Sequence, residues 1–261
     1  MSTRVFHALS ILLAGLLCSC TDVQRNVEAS APLTFRDSTV TVMADTCTDS
    51  TCSVDDCGGV SVVLAVPNSS DPRWDALRRT CAAFHADVLE GRDTPRDTIA
   101  DISAAGRRFM LRFASFRAEF PETPGFWTMQ GRDTVLRSDS LICIRQEAYT
   151  FTGGAHGATT SRFVIARTRD GAVIPWSDLA TDTVTFRTAA ETAFRATVGM
   201  QAGESYTARG YWFENERFVL AREIGIDTSG FVLEYQHYEI APYSMGQLRV
   251  HVPFIALSTK R

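Results

Sequence analysis

The sequence is poor in lysine and in long apolar runs. Of its 26 basic residues, 25 are arginines and one is Lys260, and the formal net charge at pH 7 is −4. A negative net charge, without a cluster of basic residues, argues against a nucleic-acid partner. One mostly apolar run stands out, Ala8–Leu17. It is too short to span a bilayer with an apolar core about 30 Å thick.

Known signatures of catalysis and metal binding are also missing. The chain has no Gly-Lys-Ser/Thr phosphate loop, no G-x-S-x-G elbow and no H-E-x-x-H helix. The 30 acidic residues make chance pairs inevitable, and no motif selects one pair for glycan hydrolysis. We therefore expect no cofactor, no metal and no catalytic residue.

The N-terminus has the pattern of a bacterial lipoprotein signal. Arg4 precedes the apolar run, which closes in Leu17-Cys18-Ser19-Cys20. We expect residues 1–19 to be removed and Cys20 to carry acyl chains such as palmitate, which anchor proteins at membranes. A plain secretory signal is the alternative. Residues 20–34 are polar and aperiodic, which is typical of a flexible tether.

An exported chain can form disulfides, and five cysteines follow Cys20: Cys47, Cys52, Cys57, Cys81 and Cys143. Because five is odd, at least one is unpaired or pairs between molecules. The C-x₄-C-x₄-C spacing of the first three is not typical of zinc sites. Strands at Phe35–Met43 and Val60–Val66 predict a long hairpin whose facing ends favour a Cys47–Cys57 disulfide. Pairing of Cys52 with one of the two is the alternative.

The apolar periods predict an α+β fold. Two helices in the N-terminal half start at Asp71-Pro72 and Thr94-Pro95, and a third is inserted in the C-terminal half at Thr185–Met200. From Phe126 onward, apolar residues recur at every second position, which indicates antiparallel sheets. The predicted strands are Phe126–Met129, Thr134–Leu136, Leu141–Phe151, Thr160–Arg167, Ala172–Pro175, Phe218–Ile226, Phe231–Tyr235 and Gln247–Val252. We divide the globular domain into residues 35–152 and 153–261.

Two motifs carry a family resemblance. The first is Tyr149-Thr-Phe-Thr-Gly-Gly-Ala-His-Gly157, and the second is Tyr235-Gln-His-Tyr-Glu-Ile-Ala-Pro-Tyr-Ser-Met-Gly246. Over about residues 36–258 the chain resembles a bacterial extracytoplasmic domain family of largely unknown function. That family includes the outer domain of a lysozyme-sensing anti-sigma factor (RsiV-like) and a non-catalytic domain of some peptidoglycan deacetylases. The resemblance implies an envelope location and contact with lysozyme or peptidoglycan.

The glycine-rich motif supplies the first candidate site. Gly153, Gly154 and Gly157 allow positive φ and close approach of another chain, and free amides in such a turn could bind an anion. His156 could serve as a base, a ligand or a hydrogen-bonded strut. The structural role is favoured, with His156 partly buried near the Tyr235–Gly246 segment.

The second motif supplies His237, Tyr238, Glu239 and Tyr243 as further candidates for binding or structure. A strand over Phe231–Tyr238 would place Tyr235 and His237 on one face. A metal held by His156, His237 and Glu239 is disfavoured, because no local ligand pair supports it. His85 and His251 are expected to be surface or core residues.

The combined features predict a non-catalytic envelope lipoprotein that binds a protein or a glycan. It would be extracytoplasmic and membrane-anchored, facing the periplasm or the cell surface. Two alternatives stay open, an enzyme acting on cell-wall polymer and a purely structural lipoprotein.

Overall fold

The computed structural model describes residues 33–44, 57–91, 101–122, 125–180 and 182–257. In this part of the chain, a six-stranded sheet runs in the order β1 to β6: Phe35–Met43, Gly59–Pro67, Thr128–Ser138, Leu141–Phe151, Ala158–Arg167 and Val173–Ile174. A three-stranded sheet contains β7 to β9: Glu223–Ile226, Gly230–Tyr235 and Leu248–Pro253. The α-helices are α1, Asp75–Glu90, α2, Ile102–Glu119, and α3, Thr183–Thr197.

The predicted α+β class is confirmed, with one departure in the large sheet. β1 and β2 form the expected antiparallel hairpin, in which Met43 faces Gly59. β2 and β3, however, pair in parallel. Parallel neighbours need a long crossover connection, and α1 and α2 lie in the chain between these two strands. Strand periodicity alone does not reveal strand direction.

One face of the large sheet packs against α1 and α2. Alternate residues of the strands point to that face, among them Val60, Val62 and Met129, which are fully buried. α1 follows Asp71, whose side chain accepts a hydrogen bond from the Arg73 amide at 2.9 Å. The helix start is therefore as predicted.

α2 begins later than its sequence suggests. Its N-cap is Asp101, which accepts from the Ala104 amide at 2.9 Å. The expected start at Thr94-Pro95 lies outside the described residues.

The opposite face of the large sheet packs partly against α3 and the small sheet. Cys143 of β4 and Ile165 of β5 share a buried cluster with residues of α3 and β7 to β9. Within it, Phe194 of α3 is surrounded by the rings of Tyr206, Tyr211, Phe213, Phe218 and Tyr235. The hydroxyl of Tyr235 donates to the Val219 carbonyl at 2.7 Å. This bond fixes the end of β8, where the second motif begins.

Several strand boundaries differ from the predictions. Phe126–Met129 and Thr134–Leu136 are not separate strands, because Thr128–Ser138 is continuous and absorbs a register shift after Val135. The strand predicted over Phe218–Ile226 is formed only at Glu223–Ile226. The strand expected to reach Tyr238 ends at Tyr235. In this segment, buried aromatics such as Phe218 pack from irregular backbone, so an apolar pattern here does not mark a strand.

The cysteines are only partly placed by the structure. Cys81 and Cys143 are buried free thiols, and burial raises the pKa of Cys143 to about 11. Cys57 is disulfide-bonded. Cys47 and Cys52 lie outside the described residues, so the Cys47–Cys57 pairing stays a prediction.

The N-terminal predictions fall on residues that are not described. They are the signal at 1–19, the acylated Cys20 and most of the tether. Among the helices that are described, none has the length and apolar character needed to cross a bilayer.

Candidate functional site

The glycine motif is the connection between β4 and β5. Gly153 and Gly154 have φ of +94° and +96°, in the region that favours glycine. A Cβ atom added to either glycine would have no neighbour within 4 Å, so their role is in the backbone turn. Gly157 differs, because a Cβ there would overlap the ring of Tyr149. The turn therefore needs glycine for conformation at two positions and for space at a third.

The second motif forms a turn directly after β8. Tyr238 has a φ of +63°, which is rare for a bulky side chain. Glu239 closes the turn, since its two carboxylate oxygens accept from the amides of Gln236 at 2.8 Å and Arg222 at 2.9 Å. A short 3₁₀ helix, Tyr243–Met245, follows. The expected strand alternation of Tyr235 and His237 is therefore wrong.

The two motifs meet through stacked rings. Tyr243 lies between His156 and His237, with centroid distances of 3.7 Å and 4.4 Å and nearly parallel planes. Its hydroxyl donates to the Gly157 carbonyl at 3.0 Å, and His156 Nδ1 lies 2.9 Å from the same oxygen. The predicted proximity of His156 to the second motif is thus confirmed.

The predicted burial of His156 is wrong. Its side chain is exposed, because Tyr243 covers only one face of the imidazole ring. His237 is half-buried, and its Nδ1 is a buried atom without a hydrogen-bond partner. Tyr238 is exposed, with its ring centroid 5.8 Å from that of Tyr243. We call Tyr149, His156, His237, Tyr238 and Tyr243 the histidine–tyrosine surface.

Glu239 does not join His156 and His237 in a common ligand set. Glu239 directs its carboxylate to backbone amides and not to His156 or His237. In the described ranges, no group of three histidine, cysteine or acidic side chains could hold an ion. His156 contacts a carbonyl and a ring, and no acidic partner of His156 occurs among the described contacts.

A polar pocket adjoins the histidine–tyrosine surface. It has a volume of about 400 Å³ and lies on the uncovered part of the large sheet. Tyr149 belongs to both, because its ring lies over Gly157 and also lines the pocket. The other polar lining side chains are Ser61, Gln130, Arg132 and Glu147. The pocket therefore offers groups of both charges beside the exposed rings.

A buried ion-pair network stands behind the pocket. Arg145 binds Glu234 through both its Nε and Nη2, and it also binds Glu147 at 2.6 Å. Arg249 adds a contact to Glu234 at 3.1 Å, and Ser161 Oγ donates to the same carboxylate at 2.8 Å. These contacts join the two sheets and hold Glu147 at the pocket wall.

The network keeps Glu234 ionised inside the protein. Burial acts to raise the pKa of Glu234, but the hydrogen bonds and charge of Arg145 outweigh it, and the pKa is lowered. Burial likewise acts to lower the pKa of Arg145, but its hydrogen bonds to Glu234 and Glu147 leave that pKa raised. Buried charge pairs of this kind hold a geometry as much as they stabilise a fold.

Side chains near the small sheet also accept hydrogen bonds from backbone amides of β5, on the edge of that strand that faces away from β4. The Ser161 amide donates to Gln236 Oε1 at 3.0 Å, and the Phe163 amide donates to Glu223 Oε2 at 3.1 Å. Burial raises the pKa of Glu223. The turn carrying the second motif is thus tied to the strand that follows the first.

A further polar cluster was not anticipated from the sequence. His85 is fully buried, and its Nε2 lies 2.8 Å from Asp133 Oδ1. Gln146 Nε2 donates to the same oxygen at 2.9 Å, and Asp133 Oδ2 accepts from the Ala65 amide at 3.2 Å. The sequence signal for this cluster is Asp133. Buried and exposed residues alternate along β3, and this acidic residue occupies one of the buried positions. This cluster lies under α1, away from the histidine–tyrosine surface.

Comparison with known proteins supports the fold and leaves the activity open. Residues 177–254 match the model of a family described as "Protein of unknown function (DUF3298)". No curated protein matches the chain. A DUF3298 family protein from Pseudomonas aeruginosa PAO1 is 19% identical, with 87% of this chain and 94% of that chain covered and a TM-score of 0.61. A DUF3298 member from Bacteroides fragilis NCTC 9343 is 17% identical, with 87% and 92% covered and a TM-score of 0.59.

The matched segment includes α3, the small sheet and the Tyr235–Gly246 motif, while the glycine turn precedes it. At these identities, the structural likeness concerns the fold alone. Residues 177–254 thus match the DUF3298 family, and the chain shares its fold with two solved DUF3298 proteins.

Proposed function

We propose that this protein is a non-catalytic binding module of the bacterial cell envelope, anchored by acyl chains on Cys20. It binds a protein ligand through the histidine–tyrosine surface and the adjoining polar pocket. Lysozyme is the first ligand to test, because the RsiV-like resemblance of the two motifs points to it.

The observation that carries this proposal is the conformation of Tyr238. A bulky residue at positive φ costs about 1 kcal/mol or more, and such strain is concentrated at functional sites. Tyr238 as a whole residue is 57% exposed, so burial gives little in return. A ligand that covers the ring would account for a strained and exposed tyrosine.

The composition of the surface favours a protein ligand. Tyrosine and arginine are enriched among the residues that dominate protein interfaces, and this surface combines three tyrosines with Arg132 at the pocket. The formal charge of −4 gives long-range attraction to a cationic partner such as lysozyme. Aromatic rings also stack on sugars, which makes peptidoglycan the competing ligand.

The other two functions have less support. An enzyme acting on cell-wall polymer would need His156 paired with an acidic group, and its described contacts are the Gly157 carbonyl and the Tyr243 ring. If the protein were a purely structural lipoprotein, the strained backbone conformation of Tyr238 would have no function.

The test is binding of the Cys20→Ser chain to lysozyme and, separately, to soluble peptidoglycan fragments, measured by isothermal titration calorimetry. Tyr238→Gly removes both the ring and the backbone strain. We expect its binding to fall at least tenfold while its free energy of unfolding stays equal or rises.

Asn215→Gly is the matched control, because Asn215 is also exposed at positive φ, 53°, in another loop. It should change stability less, because asparagine tolerates positive φ better than tyrosine does, and it should leave binding intact. Binding to fragments alone would favour a glycan module. Unchanged binding by Tyr238→Gly would refute the assignment of the surface.

A further inference from the structure

A second cavity lies on the helix-covered side of the large sheet, between α2 and the end of β1. Its volume of about 530 Å³ is within the range of small-molecule sites. One wall is a single stripe of α2: Arg107, Met110, Leu111, Ala114 and Arg117. Spacings of three and four residues place these side chains on one helix face. The small Ala114 in the middle of the stripe leaves the groove open.

The other described residues of the lining are apolar. The end of β1 contributes Val42–Ala44, and the rings of Phe113 and Phe126 contact each other edge to face, with centroids 6.5 Å apart. Leu111 in the facing wall remains 63% exposed. The described fold therefore leaves a concave apolar surface in water, which is unfavourable unless something covers it.

Charge restricts what can cover it. Among the described residues of the lining, the polar side chains are Arg107 and Arg117, ten positions apart, or about 15 Å along the helix. Arg107 is exposed and makes no hydrogen bond or ion pair within the described part of the chain. The guanidinium of Arg107 would repel a cationic ligand.

A peptide also fits poorly. It would bring a backbone amide with every residue, and the apolar lining side chains offer those amides no partners. A hydrocarbon chain brings no such groups. A terminal carboxylate on that chain is the natural partner of a guanidinium.

We propose that this cavity binds a free medium-chain fatty acid. Its hydrocarbon chain lies against Leu111, Ala114 and Phe126, and its carboxylate is held by Arg107. The site is separate from the histidine–tyrosine surface, which lies at the opposite face of the large sheet, so the proposal stands independently of the proposed protein ligand.

The first test uses the purified, detergent-free full chain and calorimetric titration with octanoate, decanoate and dodecanoate below their micellar concentrations. Burial of hydrocarbon should raise the association constant about fourfold for each added CH₂. Dodecanol and dodecyltrimethylammonium have the same chain with a neutral and a cationic head. We expect both to bind more weakly than dodecanoate, the cation most weakly.

Variants assign the binding to the cavity. Ala114→Phe fills the groove and should weaken dodecanoate binding at least tenfold. Ser115→Phe is the control, since Ser115 is exposed on the same helix outside the lining and lies about 100° round the helix from Ala114. Arg107→Gln should weaken dodecanoate about threefold to tenfold and leave dodecanol unchanged. Arg108→Gln is its matched control. Circular dichroism and thermal unfolding verify that each variant folds.

Several results would overturn the proposal. They are no binding by the unchanged chain, equal affinity for the three head groups, or equal effects of Ala114→Phe and Ser115→Phe. Binding to vesicles of anionic phospholipid without binding of monomeric dodecanoate would also overturn it, because the groove would then be a membrane contact.

Discussion

Replacement of Arg145 by methionine tests whether the buried network holds the two sheets together. The side chain of Arg145 is 11% exposed and that of Glu234 is 2% exposed, so the variant leaves a carboxylate buried beside an apolar group. Breaking a buried pair costs about 3–5 kcal/mol. Arg249 and Ser161 still contact Glu234 in the variant. We therefore expect a loss of about 2–4 kcal/mol in the free energy of unfolding at pH 7.

The loss should depend on pH in a defined direction. In the unchanged protein the pKa of Glu234 is lowered, so its stabilisation is present above the unfolded pKa of about 4.3 and is lost as pH falls through the folded pKa. Without Arg145, burial dominates and the folded pKa of Glu234 should lie above 4.3. Stability from a raised pKa is present at low pH and is lost as pH rises. The difference between the two proteins should therefore shrink from pH 7 to pH 4.

Urea denaturation followed by tryptophan fluorescence at pH 7 and pH 4 measures this difference without adding salt. Arg249→Met is the control, because Arg249 contacts the same carboxylate from a side chain that is 54% exposed. Arg249→Met should lower the free energy of unfolding by less than about 1 kcal/mol. A cost below 1 kcal/mol for Arg145→Met, or a cost that does not change with pH, would show that the network does not carry the sheet–sheet contact.

Three further predictions concern the N-terminus, the hairpin and the glycine turn. Cys20→Ser should move the protein from the membrane fraction to the soluble fraction, and mass spectrometry of the natural N-terminus should find an acylated Cys20; an unmodified start elsewhere contradicts this. Peptide mapping without reduction should recover Cys47 joined to Cys57, a bridge worth about 2–3 kcal/mol in the chain-entropy model, and a free Cys47 thiol would refute the pairing. Gly154→Val should lower the free energy of unfolding by about 1–3 kcal/mol, because valine is strained at a φ of +96°. His156→Ala removes an exposed ring and should lower it by less, below about 1.5 kcal/mol. Urea denaturation measures both, and equal losses would contradict the backbone explanation.

Local sequence was sufficient for most of the framework. Alternation predicted β1 as Phe35–Met43, which is its observed range. The Asp71-Pro72 signal predicted the start of the first helical segment. Both depend on interactions within a few residues, which a single sequence displays directly.

What local sequence could not show depends on distant contacts. The parallel pairing of β2 with β3 is set by how the helices cross the sheet. The exposure of His156 depends on which face of its ring Tyr243 covers, 87 positions along the chain. The polar pocket combines side chains from β2, β3 and β4, so no single segment contains its pattern.

The side-chain bonds along β5 have a consequence for self-association. Only the end of β5 pairs with β6, which is two residues long, so most of its outer edge would otherwise present free amides. Unpaired strand edges are templates on which further chains can add. Gln236 and Glu223 accept hydrogen bonds from the amides of Ser161 and Phe163, so a foreign strand would first have to displace a glutamine and a half-buried carboxylate. The contacts that join the two sheets therefore also protect the large sheet against edge-to-edge aggregation.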